Sequence, residues 1–274
     1  MSESDLTSQP PDIGDAHLVV SFPAPHILHV AFDRPAKWNA LLSKDNWALD
    51  AIWGWYESEP SLRCAILGTT SRRAFCAGGD LIELGQKDRK PWPDSGLAGL
   101  AKRALRKPII AAVNGVVIGG AVEMLTNLDV VVAGESAVLS LPEAKRGVHA
   151  GGGGLPRLVY LIGRQKAAEL LMTGRDVPAP EAERIGLVNA VVPDDLVEAR
   201  ALEIAQQTAA NSPDAVILSL YGLRLAERHA GYQGMMDEYF SSRELQVLLK
   251  GENTREGLRA FIEKRPPRWV NSKL

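Results

Sequence analysis

The chain has 274 residues, 46% apolar and 23% charged, with 31 Lys+Arg against 33 Asp+Glu for a net charge of -2. That balance excludes a disordered chain, a small fold that needs disulfide staples and a surface whose overall field draws in nucleic acid or anionic membrane. At ~150 residues per domain, the length allows about two domains.

Residues 1–16 are polar and acidic, with no basic n-region and no apolar h-region. They are expected to be a flexible segment and not a secretory leader. Two apolar, β-branched runs at 17–22 and 27–32, split by Pro23 and Pro25, predict a hairpin. Asp33-Arg34-Pro35 ends it. Ser43 is the expected N-cap of a helix running to Tyr56, with Leu49, Ile52 and Tyr56 on one face. Residues 64–70, 108–114 and 130–133 are continuous apolar runs that predict buried strands, and 137–141 follows closely. A short helix is expected between Gly119 and Asn127. The polar segment 85–99, with two prolines and Trp92, predicts a long surface loop.

Beyond Gly163 the pattern becomes helical. Helices are predicted at 163–174, 180–187, 196–211, 214–231, 235–251 and 253–265. Gly174, Gly231 and Gly251 are the expected C′ residues. Asn253 is the expected cap of the last helix, with Glu256 three residues on. The strand-loop-helix-strand order makes this an α/β chain. The expected organisation is a flexible 1–16, a catalytic core over 17–205 and a helical assembly region over 206–274.

The longest apolar stretch, 108–122, is broken by Asn114 and several glycines, and falls short of a membrane span. Cys64 and Cys76 are too few for a disulfide framework and predict free thiols. The final Ser272-Lys273-Leu274 is a peroxisomal address read by an import receptor. It predicts a protein of the peroxisomal matrix, imported folded.

Three segments carry chemistry. Ala74-Phe75-Cys76-Ala77-Gly78-Gly79-Asp80-Leu81 offers a tight turn after a strand, where glycines let backbone N–H groups approach a ligand. Asn114-Gly115 through Gly119-Gly120-Ala121-Val122-Glu123 runs a strand into glycines and then a helix. The first N–H groups of a helix lack internal partners and suit a developing oxyanion. Glu123 sits one turn inside, where an apolar setting makes a carboxylate costly unless it is paired or functional. Pro142-Glu143 ends a strand and precedes four consecutive glycines, Gly151 to Gly154. No H-E-x-x-H or Cys/His cluster points to a metal, and no phosphate-loop G-x-x-x-x-G-K-[ST] is present.

Together these segments resemble the enoyl-CoA hydratase/isomerase (crotonase) superfamily. Asp33-Arg34-Pro35, Asn39-Ala40-Leu41, Lys107-Pro108, Gly153-Gly154-Leu155-Pro156-Arg157-Leu158, Leu171-Met172-Thr173-Gly174, Gly186-Leu187-Val188 and Phe261-Ile262-Glu263-Lys264-Arg265 extend the likeness over most of the chain. The resemblance implies a spiral of β-β-α turns forming two roughly perpendicular sheets. It also implies a C-terminal helical region that assembles trimers or hexamers. The N–H groups of Gly79 and Gly120 would form the oxyanion hole for an acyl-CoA thioester. Glu123 would be the base and Glu143 the acid of a hydratase. Ala36, Lys37, Trp38, Ala77 and Leu81 would line the CoA and acyl groups, and Phe261 and Lys264 would reach a neighbouring subunit's CoA. No cofactor is implied beyond the CoA moiety of the substrate. Ala121 replaces a glycine common in the hydratases.

Other readings remain at this point. An isomerase or acyl-CoA hydrolase on the same scaffold would need fewer carboxylates. A thiol hydrolase could be built on Cys76 and His149. The basic run Lys102-Arg103-Ala104-Leu105-Arg106-Lys107 could contact RNA phosphates or form a solvated helix face. The first two readings and RNA binding all weigh less than hydration of an enoyl-CoA, fatty or branched.

Overall fold

A computed structural model describes residues 6–274. In chain order the elements are β1 (Leu18–Ala24), β2 (Ile27–Phe32), α1 (Ser43–Ser58), β3 (Cys64–Thr69), β4 (Ala74–Cys76), α2 (Leu81–Leu84), β5 (Ile109–Val113), β6 (Val116–Ile118), α3 (Gly120–Leu125), β7 (Val130–Gly134), β8 (Val138–Ser140) and α4 (Gly154–Ile162). Then follow α5 (Arg164–Thr173), β9 (Asp176–Pro178), α6 (Ala179–Ile185), β10 (Ala190–Val192), α7 (Val197–Ala209), α8 (Pro213–Leu225), α9 (Tyr232–Ser241), α10 (Arg243–Lys250) and α11 (Glu252–Glu263).

A β-β-α turn recurs. β3, β5 and β7 join one sheet of order β1-β2-β3-β5-β7-β10, while β4, β6 and β8 join a second of order β4-β6-β8-β9. The hairpin β1-β2 is antiparallel, and β2, β3, β5, β7 and β10 run parallel. Both faces of the large sheet are covered, which is why its strands read as unbroken apolar runs. Ile66, Ile110, Ala112 and Val132 point toward α7, whose Val197, Ala201, Ala205 and Ala209 recur every four residues. The alternate residues, Ala65, Leu67, Ala111, Val113 and Ala133, face the main core with Leu49, Ile52, Trp53 and Tyr56 of α1.

Several expectations need correction. Ser43 is the first helical residue and not the cap. Its Oγ lies 2.8 Å from Lys90 O and 3.0 Å from Glu83 Oε2, and the Asp45 carboxylate accepts the Leu42 N–H instead. The region after Gly163 is not wholly helical, because β9 and β10 extend the two sheets. The helix predicted over 235–251 breaks at Ser242, whose Oγ accepts the Leu245 N–H and starts α10 anew. Of the three expected C′ glycines only Gly174 is left-handed, at φ 55°. Gly231 precedes α9 and Gly251 is extended. Asn253 is not a cap. Its side chain donates to Asp214 and Val270 O and accepts the Val270 N–H, tying down the C-terminal tail.

The proposed boundaries shift too. Residues 1–5 lie outside the described residues, but the rest of the segment expected to be flexible is held. Thr7 and Ser8 donate to the Glu59 carboxylate, and Leu6, Ile13 and Ala16 pack against the core. A boundary at 205/206 would cut through α7, which stays on the large sheet to Ala209. The separate helical region begins with α8. Its α11 leaves Leu258, Phe261 and Ile262 exposed. Among the described residues, no helix is long and apolar enough to cross a membrane.

Candidate active site

The turn after β4 is fixed by backbone hydrogen bonds to the segment between β2 and α1. Ala77 N–H donates to Trp38 O, Leu41 N–H to Gly78 O, and Asp80 N–H to Leu41 O. The Gly79 N–H is left out of this ladder. β6 then delivers Gly119, at φ 61° and ψ −125°, to the start of α3. Gly120 is the first helical residue, so its N–H has no partner within the helix. Among the described residues, neither the Gly79 nor the Gly120 N–H donates a hydrogen bond. The two glycine turns are adjacent: a Cβ on Gly78 would stand 3.6 Å from Gly120 N.

Glu123 lies one turn into α3 and is 2% exposed. Its two carboxylate oxygens accept the N–H groups of Gly152 and Gly154, each at 3.1 Å. The glycine run is therefore a cradle for this carboxylate: a Cβ on Gly154 would meet Glu123 Cα at 2.7 Å. Glu143 opens a single 3₁₀ turn, Glu143–Arg146, after β8. Its Oε1 reaches to 2.9 Å from a Cβ built on Gly119, and its Oε2 is buried without a partner. Burial, reinforced by the nearby Glu123 charge, holds the Glu143 carboxyl above its ordinary pKa. Two carboxylates with different hydrogen-bonding environments thus flank two undirected N–H donors.

A supporting network went unread in the sequence. Asn39 is fully buried. Its Nδ2 donates to Thr69 Oγ1, Ala74 O and Phe75 O, and its Oδ1 accepts the Arg34 N–H. Arg34 bridges to Asp80 at 2.8 Å, Asp80 caps α2, and Glu83 accepts from Ser43 N–H. This chain of bonds fixes the Gly78–Gly79 turn from both sides. Its signal in the sequence was a polar cluster, Arg34, Asn39 and Asp80, beside buried strands. Over the turn lies Trp92. A Cβ on Gly79 would come within 2.6 Å of its Cζ2 and Cη2, and Leu97 similarly approaches Gly120 at 3.1 Å.

The remaining expected residues divide. The 3₁₀ turn Pro35–Lys37 and Trp38 are brought beside Ala77, with Trp38 43% exposed and the Arg73 guanidinium over its ring at 5.5 Å. Leu81 opens α2 and is exposed. Phe261 and Lys264 are exposed at the end of α11, and no hydrogen bond or ion pair among the described residues joins them to the glycine turns. Cys76 does not suit a nucleophile: it is fully buried, and burial pushes its thiol up to about 12. Both cysteines are free.

The basic run 102–107 is not a helix and is only partly solvated: Lys102 and Arg106 are exposed, Arg103 is half-buried and Lys107 is buried. Arg103 pairs with Asp50, Arg106 with Glu57, and the buried Lys107 ammonium donates to Tyr56 O and Glu59 O. Among the described residues, no group of three or more His, Cys, Asp or Glu could hold a metal ion.

Comparison with known proteins agrees with this architecture. The family described as Enoyl-CoA hydratase/isomerase matches residues 24–272. The mevalonyl-coenzyme A hydratase SIDH of Beauveria bassiana is 42% identical, over 98% of this chain and 99% of its own length. The enoyl-CoA hydratase EchA19 of Mycobacterium tuberculosis is 38% identical, over 90% of this chain and 94% of its own. The crystal structure of an enoyl-CoA hydratase from Mycobacterium tuberculosis H37Rv superposes with a TM-score of 0.87 at 30% identity, covering 94% of this chain and all of that one.

Proposed function

The chain belongs to the enoyl-CoA hydratase/isomerase family, and we propose that it adds water across the C2=C3 bond of an α,β-unsaturated acyl-CoA. The observation that carries this reading is the pair of carboxylates, Glu123 and Glu143, beside the undirected N–H groups of Gly79 and Gly120. An isomerase or hydrolase would not call for both.

The chemistry follows from the geometry. The thioester oxygen accepts from Gly79 and Gly120. As water attacks C3, the π electrons move toward the carbonyl and the oxygen gains enolate charge. Preorganised donors stabilise that charge, and losing one such donor costs ~10²–10³ in rate. Glu123, held by the glycine cradle, takes a proton from the attacking water. Glu143, whose raised pKa favours its acid form, supplies the proton to C2. The C3–O and C2–H bonds form as the C2=C3 π bond is lost. The Glu123 charge acts on the Glu143 carboxyl and favours its neutral form. The CoA portion would lie along Ala36, Lys37, Trp38, Ala77 and Leu81. Phe261 and Lys264 would reach the CoA of a neighbouring subunit in a trimer or hexamer.

We propose a branched acyl group as substrate, supported by the mevalonyl-coenzyme A hydratase name of a relative with near full-length coverage. We also propose residence in the peroxisomal matrix, directed by Ser272-Lys273-Leu274 and its import receptor. The test of the activity is loss of the conjugated-thioester absorbance with crotonyl-CoA and with branched and longer 2-enoyl-CoAs. Conversion of a 3-enoyl-CoA to its 2-enoyl isomer without hydration would replace the hydratase reading with the isomerase one.

A further inference from the structure

The six tryptophans differ in what their indole N–H groups do. Trp47 donates to Pro91 O, Trp53 to Ala98 O, Trp55 to Ser8 Oγ and Trp269 to Ala210 O. Trp38 is 43% exposed and open to water. Trp92 alone among the described tryptophans has an Nε1 that is buried and without a partner. Buried indole N–H groups are ordinarily satisfied. The ring that carries it stands over the Gly79 turn, with its Cζ2–Cη2 edge against Gly79, and Arg89 lies over the ring at 5.8 Å from its centroid.

The thioester oxygen has two lone pairs, and in the proposed reaction Gly79 and Gly120 already fill both. A hydrocarbon acyl chain would leave the Trp92 N–H unpaired in the complex as well. An oxygen carried further along the chain would complete it. We propose that Trp92 is a specificity residue whose Nε1–H donates to an oxygen on the acyl group of the substrate, beyond the thioester. The class it selects is hydroxylated or otherwise oxygenated 2-enoyl-CoAs over plain hydrocarbon ones. This proposal rests on the hydratase reading above.

A matched substrate pair tests it: 5-hydroxy-3-methylpent-2-enoyl-CoA, and 3-methylpent-2-enoyl-CoA, which has the same carbon skeleton without the hydroxyl. The readout is the ratio of kcat/KM between the two, which a general loss of packing would not move. The wild-type chain should favour the hydroxylated member by roughly 10- to 100-fold. Trp92→Phe keeps a ring but removes the donor, and should bring the ratio to within about threefold. A ratio unchanged in Trp92→Phe, or a wild type that treats both alike while hydrating crotonyl-CoA, overturns the role of Trp92 and leaves the hydratase reading standing. A wild type that hydrates neither of the pair nor crotonyl-CoA overturns both.

Discussion

Glu143 and Gly119 meet at the start of α3: a Cβ on Gly119 would stand 2.9 Å from Glu143 Oε1. Gly119 also has φ 61° and ψ −125°, a conformation that side chains adopt only under strain. Gly119→Ala should therefore push the carboxylate aside and cost about 1–3 kcal/mol of stability. We expect kcat on crotonyl-CoA to fall at least ~10-fold, since catalytic groups tolerate little misplacement. A folded variant with wild-type kcat would show that the position of this carboxylate is irrelevant to turnover.

Glu123→Gln and Glu143→Gln each remove a proton carrier while keeping shape. Each should lower kcat by about 10²–10⁴. Either variant turning over within a few-fold of wild type would sink the two-carboxylate mechanism.

The pH profile follows from Glu143. Burial first, and the Glu123 charge second, raise its pKa above the ordinary value of 4.5. If its acid form supplies the C2 proton, kcat for hydration falls as pH rises through that raised pKa. Glu143→Gln should abolish this limb. The linkage sign agrees: between 4.5 and the raised value the folded state binds more protons, so stability falls as pH rises across that window. Glu143→Gln should flatten that slope in denaturant melts taken at several pH values.

Glu59 makes the opposite prediction. Burial would raise its pKa, but donors on Ser61, Ser8 and Thr7 together hold it at about 2. The stability it confers is complete above 4.5 and is lost as pH falls toward about 2. The residue is fully buried, and we expect about 1–3 kcal/mol. Glu59→Gln should lose this acid-sensitive share and free the segment around Thr7 and Ser8, read as faster amide exchange there. An unchanged acid-unfolding curve would count against it.

The address can be tested without disturbing the fold. Ser272 Oγ lies 2.5 Å from Asp214 Oδ1, so deleting 272–274 also removes a structural contact. Appending two glycines after Leu274 keeps that contact and buries the motif inside the chain. With a fluorescent protein at the N-terminus, both changes should turn a punctate signal diffuse. Persistent puncta in the extended variant would remove the targeting claim.

The sequence singled out Glu123, Glu143, Gly79 and Gly120 because glycine-rich turns and two carboxylates occur in an order that resembles one family, and the structure brings the two glycine turns together. It also revealed the large sheet, whose strands are long enough to read as buried. β4, β6, β9 and β10 are three residues each, too short for any period to register. Ser43 and Asn253 look like caps, but distant partners, Lys90 and Asp214, claim their side chains. Lys107 looks solvated in a basic run, yet two carbonyls draw its ammonium inward. The isolation of the Trp92 N–H is invisible in one dimension, because it depends on what fails to approach from elsewhere in the chain.

The alternation of strands between two sheets has a further consequence. Neither sheet is written in one stretch: Ile66 pairs beside Ile110, and Ala112 beside Val132, with a strand of the other sheet intervening each time. A cut between α3 and β7 would sever both sheets at once. The molecule has no half that could fold and wait for the other, and its assembly depends on slow, long-range parallel pairing. Gly79 and Gly120 follow neighbouring strands of the smaller sheet, β4 and β6, so the two N–H groups come into register when those strands pair. The juxtaposition of the two glycine turns is thus made by strands about 40 residues apart in the chain and tests that one long-range pairing, which a chain cut between β4 and β6 would lose.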